Sequence, residues 1–136
     1  MADIRRVTDA FAVAPQINEQ DVEQIAAAGF KTIIANRPDG EGGPLQPTVS
    51  AIRAKAESLG LTFVALPFSG APTPEIVHQM QEILNGAPQP VLAYCRTGTR
   101  CITAWALTHA GQGAADEIVD AAADAGYDLS KIHHLL

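Results

Sequence analysis

Val91-Leu92-Ala93-Tyr94-Cys95-Arg96-Thr97-Gly98-Thr99-Arg100-Cys101, followed by the apolar run Ile102-Thr103-Ala104-Trp105-Ala106-Leu107, reads as a buried strand, a tight loop and a helix. The strand delivers Cys95 to its C-terminal end, and the chain must then turn sharply so that a helix can begin near Cys101. Such a turn is an anion cradle. Loop N–H groups converge above the sulfur, the helix N-terminus adds partial positive charge, and Arg96 and Arg100 bring two full ones. Surroundings of this kind lower a thiol from about 8.5 to roughly 3.5–7.5. Cys95 is therefore expected to be a thiolate nucleophile facing an anion site.

Outward from this stretch the chain alternates strand and helix signals. Val7 to Ala14, with Phe11 and Val13, predicts one or two short edge strands before Pro15. Asn18 and Asp21 predict a capped helix with Val22, Ile25 and Ala26 as its apolar stripe and Gly29 as its stop. The β-branched run Thr32-Ile33-Ile34-Ala35 ends in the turn sequence Asn36-Arg37-Pro38-Asp39-Gly40, and the Gly- and Pro-rich stretch 40–47 reads as a mobile surface loop. A helix opens at Pro47 or Thr48 and runs to Gly60. Leu61 to Leu66 is the next strand, with Pro67 to Pro72 as its exit loop. Thr73-Pro74-Glu75 opens a helix that ends at Gly86, and Pro88 and Pro90 bracket the turn into the Val91 strand, whose unbroken apolar character predicts a central position.

Beyond the quoted stretch, the helix over 101–109 is apolar nearly all round. A second helix, Ala114 to Ala125, stops at Gly126, and 130–136 forms one last short turn. This alternation implies right-handed βαβ units: an α/β fold with a mostly parallel central sheet of about five strands and helices on both faces, in a single domain over 1–136. Ligands of such sheets lie beyond the carboxyl ends of the strands. The exits after residues 35, 66 and 94 should therefore line one cleft.

The formal net charge of −6 argues against nucleic acid or an anionic membrane as partner. A small anion is compatible, because two of the nine basic residues stand within five positions of Cys95. The start lacks the apolar stretch of a signal peptide and no run approaches about 18 to 20 apolar residues, so the reading is cytoplasmic. Cys95 and Cys101 are the only cysteines, which suits thiols kept reduced. His78 and His109 fall on helices, and the adjacent His133 and His134 cannot share a helix face as ligands spaced i, i+4 do. No metal site and no cofactor are expected.

Several residues near the loop carry two readings. Gly98 marks a position of positive φ or close approach. Thr97 and Thr99 place hydroxyls near a ligand or serve the loop itself. Cys101 is either a resolving thiol for Cys95 or a small residue in the first helical turn. Arg37 and Asp39, as accessory residues, either lean over the cleft or hold their own turn.

The segment Cys95-Arg96-Thr97-Gly98-Thr99-Arg100 resembles the active loop C-R-x-G-x-R of rhodanese-type sulfurtransferases. From about Phe11 to Leu107, with Gln16-Ile17, Gly29-Phe30, Asn36 to Glu41 and the Cys95 loop, the chain is similar to the phosphatase-like domain of β-lactamase-hydrolase-like proteins. That bacterial group has a dual-specificity-phosphatase fold. Some members are joined to a metallo-β-lactamase-type persulfide dioxygenase and are regarded as sulfurtransferases. The resemblance implies a cysteine-phosphatase-like fold in which Cys95 and Arg100 are catalytic and Arg96, Thr97, Gly98, Thr99 and Cys101 bind substrate.

Cysteine phosphatases resemble H-C-x5-R, whereas here Arg100 comes at the fifth position and Cys101 occupies the sixth. Tyr94 stands in place of the histidine, and Pro67 to Pro72 holds no Asp or Glu to protonate a leaving oxygen. The expected function is accordingly a cysteine-dependent sulfurtransferase. Cys95 would take sulfane sulfur from thiosulfate or a small persulfide and pass it to a thiol or cyanide, with a persulfide dioxygenase as a partner. The alternative is a phosphatase of low activity working through a phosphocysteine. A further alternative is a non-catalytic persulfide carrier or anion-binding module.

Overall fold

The computed structural model describes residues 2–136. Its sheet has five strands: β1 (Arg5–Arg6), β2 (Phe11–Ala14), β3 (Thr32–Ala35), β4 (Thr62–Ala65) and β5 (Val91–Tyr94), in the order β1-β2-β5-β3-β4. β5 is the middle strand, as its unbroken apolar run predicts. It pairs in parallel with β2 and with β3, and β3 pairs in parallel with β4. Only β1 is antiparallel, to β2. The edge assignment therefore holds for β1 and fails for β2, which lies between β1 and β5. All four β2 residues are buried, and Ala12 and Ala14 are small enough to be covered on a face that also takes Ile17, Val22 and Ile25.

Six helical segments cover the sheet: α1 (Glu19–Ala27), α2 (Val49–Ser58), α3 (Pro74–Gly86), α4 (Thr99–Leu107), α5 (Ala115–Asp124) and a terminal 3-10 turn over Ser130–Leu135. Strand residues alternate between two cores, as the period of two requires. Ile33, Ala35, Leu92 and Tyr94 face α1 and α2, while Ile34, Val91 and Ala93 face the core built with α3, α4 and α5. Cys95 continues the parity of Val91 and Ala93 and shares the second core with Cys101 and Ile102.

The caps read from the sequence are present. Asn18 and Asp21 form a reciprocal capping box on α1, and the Thr48 and Thr73 side chains accept from the third residue of α2 and α3. Stretch 40–47 is irregular as expected, but it is pinned: the Gly42 N–H donates to Gln46 Oε1 (2.7 Å), and Gln46 Nε2 donates to the Pro38 carbonyl (2.9 Å).

Strand register decides where the exits meet. Ala14 and Ala35 both stand opposite Tyr94, and Ala65 stands opposite Ala35, so four strands end at one level. Asn36 joins three of the exits. Its N–H donates to the Tyr94 carbonyl (2.9 Å), its side-chain amide to the Leu66 carbonyl (2.9 Å), and its own carbonyl accepts from the Phe68 N–H (3.2 Å). Among the described residues no helix is long and apolar enough to cross a membrane.

Candidate active site

The backbone after β5 turns at Gly98, whose φ of +93° no side chain tolerates well, and α4 begins at Thr99, two residues earlier than the sequence pattern places it. This reversal puts the N-terminus of α4 against Cys95. The Gly98 N–H donates to Cys95 Sγ at 3.1 Å. Cys95 and Cys101 are both 0% exposed and both are free thiols.

The Cys101 thiol donates to the Cys95 sulfur, and backbone N–H groups of Cys101, Thr97 and Gly98 add to it; against the opposing cost of burial, these push Cys95 down to about 5. Cys101 moves the other way. Burial first, then its hydrogen bond to Cys95 and the charge there, hold its thiol well above the ordinary value. Within this pair Cys95 is ionised at neutral pH and Cys101 stays protonated as its donor. That corrects the placing of Cys101 among the substrate contacts: its thiol is turned inward and supports the nucleophile from below.

Arg100 reaches over the strand exits. Its Nη2 donates to Glu41 Oε1 (2.5 Å), and its Nη1 donates to Glu41 Oε2 (3.0 Å) and to the Phe68 carbonyl (2.9 Å). The loop after β3 thus holds the guanidinium from one side and the exit of β4 from the other. Hydrogen bonding to Arg100, ahead of that to Arg37, keeps the Glu41 carboxyl below its usual range, so Glu41 is an ionised clamp and no proton donor. Arg37 is buried, donating through Nε to Glu41 Oε1 (2.9 Å) and through Nη1 to Gln16 Oε1 (3.2 Å). Of its two readings, the structural one holds: Arg37 braces the clamp.

The remaining candidates separate. Asp39 Oδ1 accepts from the Val49 N–H (2.7 Å), which ties it to the first turn of α2 and away from acid catalysis. Thr97 and Thr99 bond one another, Oγ1 to Oγ1 at 3.0 Å, and so serve the loop. Arg96 is exposed, and its side chain makes no hydrogen bond or ion pair among the described residues; its carbonyl accepts from the Gln16 N–H (3.3 Å). The expected pair of guanidinium groups around the sulfur therefore reduces to Arg100. Three of the four histidines are engaged away from the site: His78 pairs with Glu82, His133 with Asp116, and His109 packs on Trp105. No cluster of three metal-ligating side chains occurs among the described residues.

Glu41 and Tyr127 carry roles that the residue-level reading did not assign. Glu41 lies in the 40–47 stretch that reads as a mobile surface loop, four residues after Arg37, and that spacing, with its place in the Asn36 to Glu41 segment, is its local signal. Tyr127 donates to the Thr97 carbonyl at 2.8 Å from thirty positions away, for which local sequence holds no signal.

A thiolate at the end of the central parallel strand, cradled by the N-terminus of the following helix and overlooked by a clamped arginine, defines a protein of the cysteine-phosphatase, or dual-specificity-phosphatase, fold. The chain belongs to the family described as the phosphatase-like domain of beta-lactamase hydrolase-like proteins, which it matches over residues 3–112. It is 33% identical over 127 residues to the beta-lactamase hydrolase-like protein of Agrobacterium fabrum, covering 91% of this chain and 29% of that protein. It thus spans less than a third of that relative's length. A protein of Neisseria meningitidis solved as a candidate phosphatase superposes with a TM-score of 0.86 at 37% identity, over 96% of this chain and 94% of that one. The catalytic core of the PP-IP phosphatase SIW14 of S. cerevisiae shares the fold, with a TM-score of 0.67 at 15% identity over 97% and 83% of the two chains.

Proposed function

We propose that this chain is a cysteine-dependent phosphatase acting on phosphate groups with good leaving groups. The observation that carries the reading is the Cys95 thiolate under the N–H groups of Thr97, Gly98 and Cys101, in a chain of a phosphatase-like family. Cys95 attacks phosphorus, the P–O bond to the leaving group breaks, and that oxygen keeps the electron pair. Water then attacks the phosphocysteine, releases phosphate and returns Cys95 as thiolate, its proton passing to solvent. Loop N–H groups and Arg100 hold the phosphoryl oxygens.

The absent acid narrows the substrate. Pro67 to Pro72 has no carboxyl group, Asp39 caps α2, and Glu41 is held ionised. A leaving oxygen must depart without a proton, which favours aryl phosphates and phosphoanhydrides over alkyl esters.

Sulfur transfer is the second reading, favoured by a specific observation: Arg100 stands five positions after Cys95, in the C-R-x-G-x-R order, and Cys101 holds the sixth. Sulfite is a good leaving group that departs without a proton, so the outer sulfur of thiosulfate would pass to Cys95 as a persulfide. A persulfide-dioxygenase partner belongs with this reading.

Parallel assays with an aryl phosphate and with thiosulfate plus cyanide, each followed by intact mass, decide between them. Turnover of aryl phosphate with vanadate inhibition and no added sulfur is the expected result. One sulfur added on Cys95, removable by cyanide, without phosphate release would overturn the phosphatase reading in favour of the transferase. Stoichiometric loading without turnover would leave an anion-binding or carrier module.

A further inference from the structure

The structure assigns Tyr127 as a positioning residue for the nucleophile: its hydroxyl holds the peptide group whose N–H supports the Cys95 sulfur. This inference rests on the thiolate reading of Cys95 and not on which group the thiolate attacks. Tyr127 O–H donates to the Thr97 carbonyl at 2.8 Å, and the Gly98 N–H donates to Cys95 Sγ at 3.1 Å. The Thr97 carbonyl and the Gly98 N–H are the two ends of one planar peptide unit. Fixing the oxygen fixes the direction in which the hydrogen points. A hydrogen bond accepted by the carbonyl also polarises the amide and strengthens its N–H as a donor.

Packing leaves this unit little freedom. A Cβ at Gly98 would collide with the Tyr127 hydroxyl, so the phenol fills the space where a side chain would stand. A flip that turned the Gly98 N–H off the sulfur would also break the Thr97 bond to Tyr127. The ring is itself seated by elements remote from the loop. The Tyr127 N–H donates to the Ala122 carbonyl (2.8 Å), the Arg5 guanidinium lies 5.4 Å from the ring centre, and Arg5 Nη1 donates to the Ala125 carbonyl (3.4 Å). β1 and the end of α5 thus meet at the nucleophile loop. The charged and titratable groups around the sulfur are Cys101, Arg100 and Tyr127; those around the phenol are Arg5, Asp3, Cys95 and Cys101. Burial raises the phenol above its ordinary value, so it remains a protonated donor across the range in which Cys95 titrates.

The test is the pH titration of Cys95, read by thiolate ultraviolet absorbance and by alkylation mapped to that residue, in the wild type and in Tyr127→Phe. The variant keeps the ring and loses the hydroxyl. The expected midpoint rises by about one pH unit, so alkylation well below it slows about tenfold while the plateau at higher pH is unchanged. An unmoved midpoint would overturn the inference. If the wild type itself titrates near an ordinary thiol, the thiolate reading fails instead, and the two failures are distinguishable. Should Tyr127→Phe not fold, 3-fluorotyrosine at position 127 keeps the hydroxyl and makes it a stronger donor. Its expected effect is a lowered midpoint, and no shift there would likewise overturn the inference.

Discussion

At Cys95, burial and hydrogen bonding pull in opposite directions. Burial alone would make the thiol a poor nucleophile, and its partners reverse that outcome, led by the Cys101 thiol and followed by the loop N–H groups. The largest single contribution thus comes from the side chain at the sixth position after the nucleophile. Cys101→Ala should raise the Cys95 midpoint by about one to two pH units, the scale of a hydrogen bond to a charged group. Cys101→Ser, which keeps a donor, should restore most of it. Iodoacetamide alkylation of Cys95 against pH checks both. Equal midpoints in Ala and wild type would remove Cys101 from the activation of the sulfur, while loss of turnover in the Ser variant would favour a dithiol cycle.

Between elements, Arg100 links α4 to the loop after β3 and to the exit of β4. Its Nη1 is committed to Glu41 and Phe68, and one Nη2 hydrogen to Glu41, so Nε–H and the other Nη2 hydrogen are the donors that remain for an anion. Glu41 therefore orients the guanidinium while leaving part of its fork available. Arg100→Ala should cost about 10²–10³ in kcat/KM, as loss of an anion-stabilising donor does. Glu41→Gln should cost about tenfold, mostly in KM, because the guanidinium keeps its charge and loses its fixed orientation. Steady-state kinetics on an aryl phosphate measure both. The reverse ranking would make Glu41 part of the chemistry and Arg100 a brace.

Across the whole molecule, the same thiolate couples the site to stability. The Cys95 pKa is about 5 in the fold against an ordinary 9.0, so between those values the unfolded chain binds a proton that the folded chain does not. Stability from this group rises with pH over that window, is complete above it, and is lost as pH falls through about 5. Denaturant unfolding of the wild type and Cys95→Ser should therefore converge near pH 5 and diverge, in favour of the wild type, towards pH 8. A constant difference between them would mean that the sulfur is not ionised in the fold. A hollow of about 440 Å³ around Phe11, Val91 and Trp105 lies at the opposite end of β5 from Cys95, so a cavity by itself does not mark the chemistry.

Local sequence determined the elements, because their signals act within a few residues: the Asn18 and Asp21 box, the threonine caps, the Val91 to Tyr94 run, and a cysteine followed by a glycine at a helix start. The class of the fold and the identity of the nucleophile were legible for that reason. The place of β2 between β1 and β5 was not, since its neighbours are set by pairing with strands far along the chain. Tertiary structure alone decided that Glu41 clamps Arg100 across 59 positions, that Asp39 serves α2, and that Arg96 stands exposed. It also decided that Tyr127 closes the loop from the far end of the chain. Each of these depends on long-range convergence at the carboxyl ends of the strands, where the parallel register brings together residues that local patterns cannot connect.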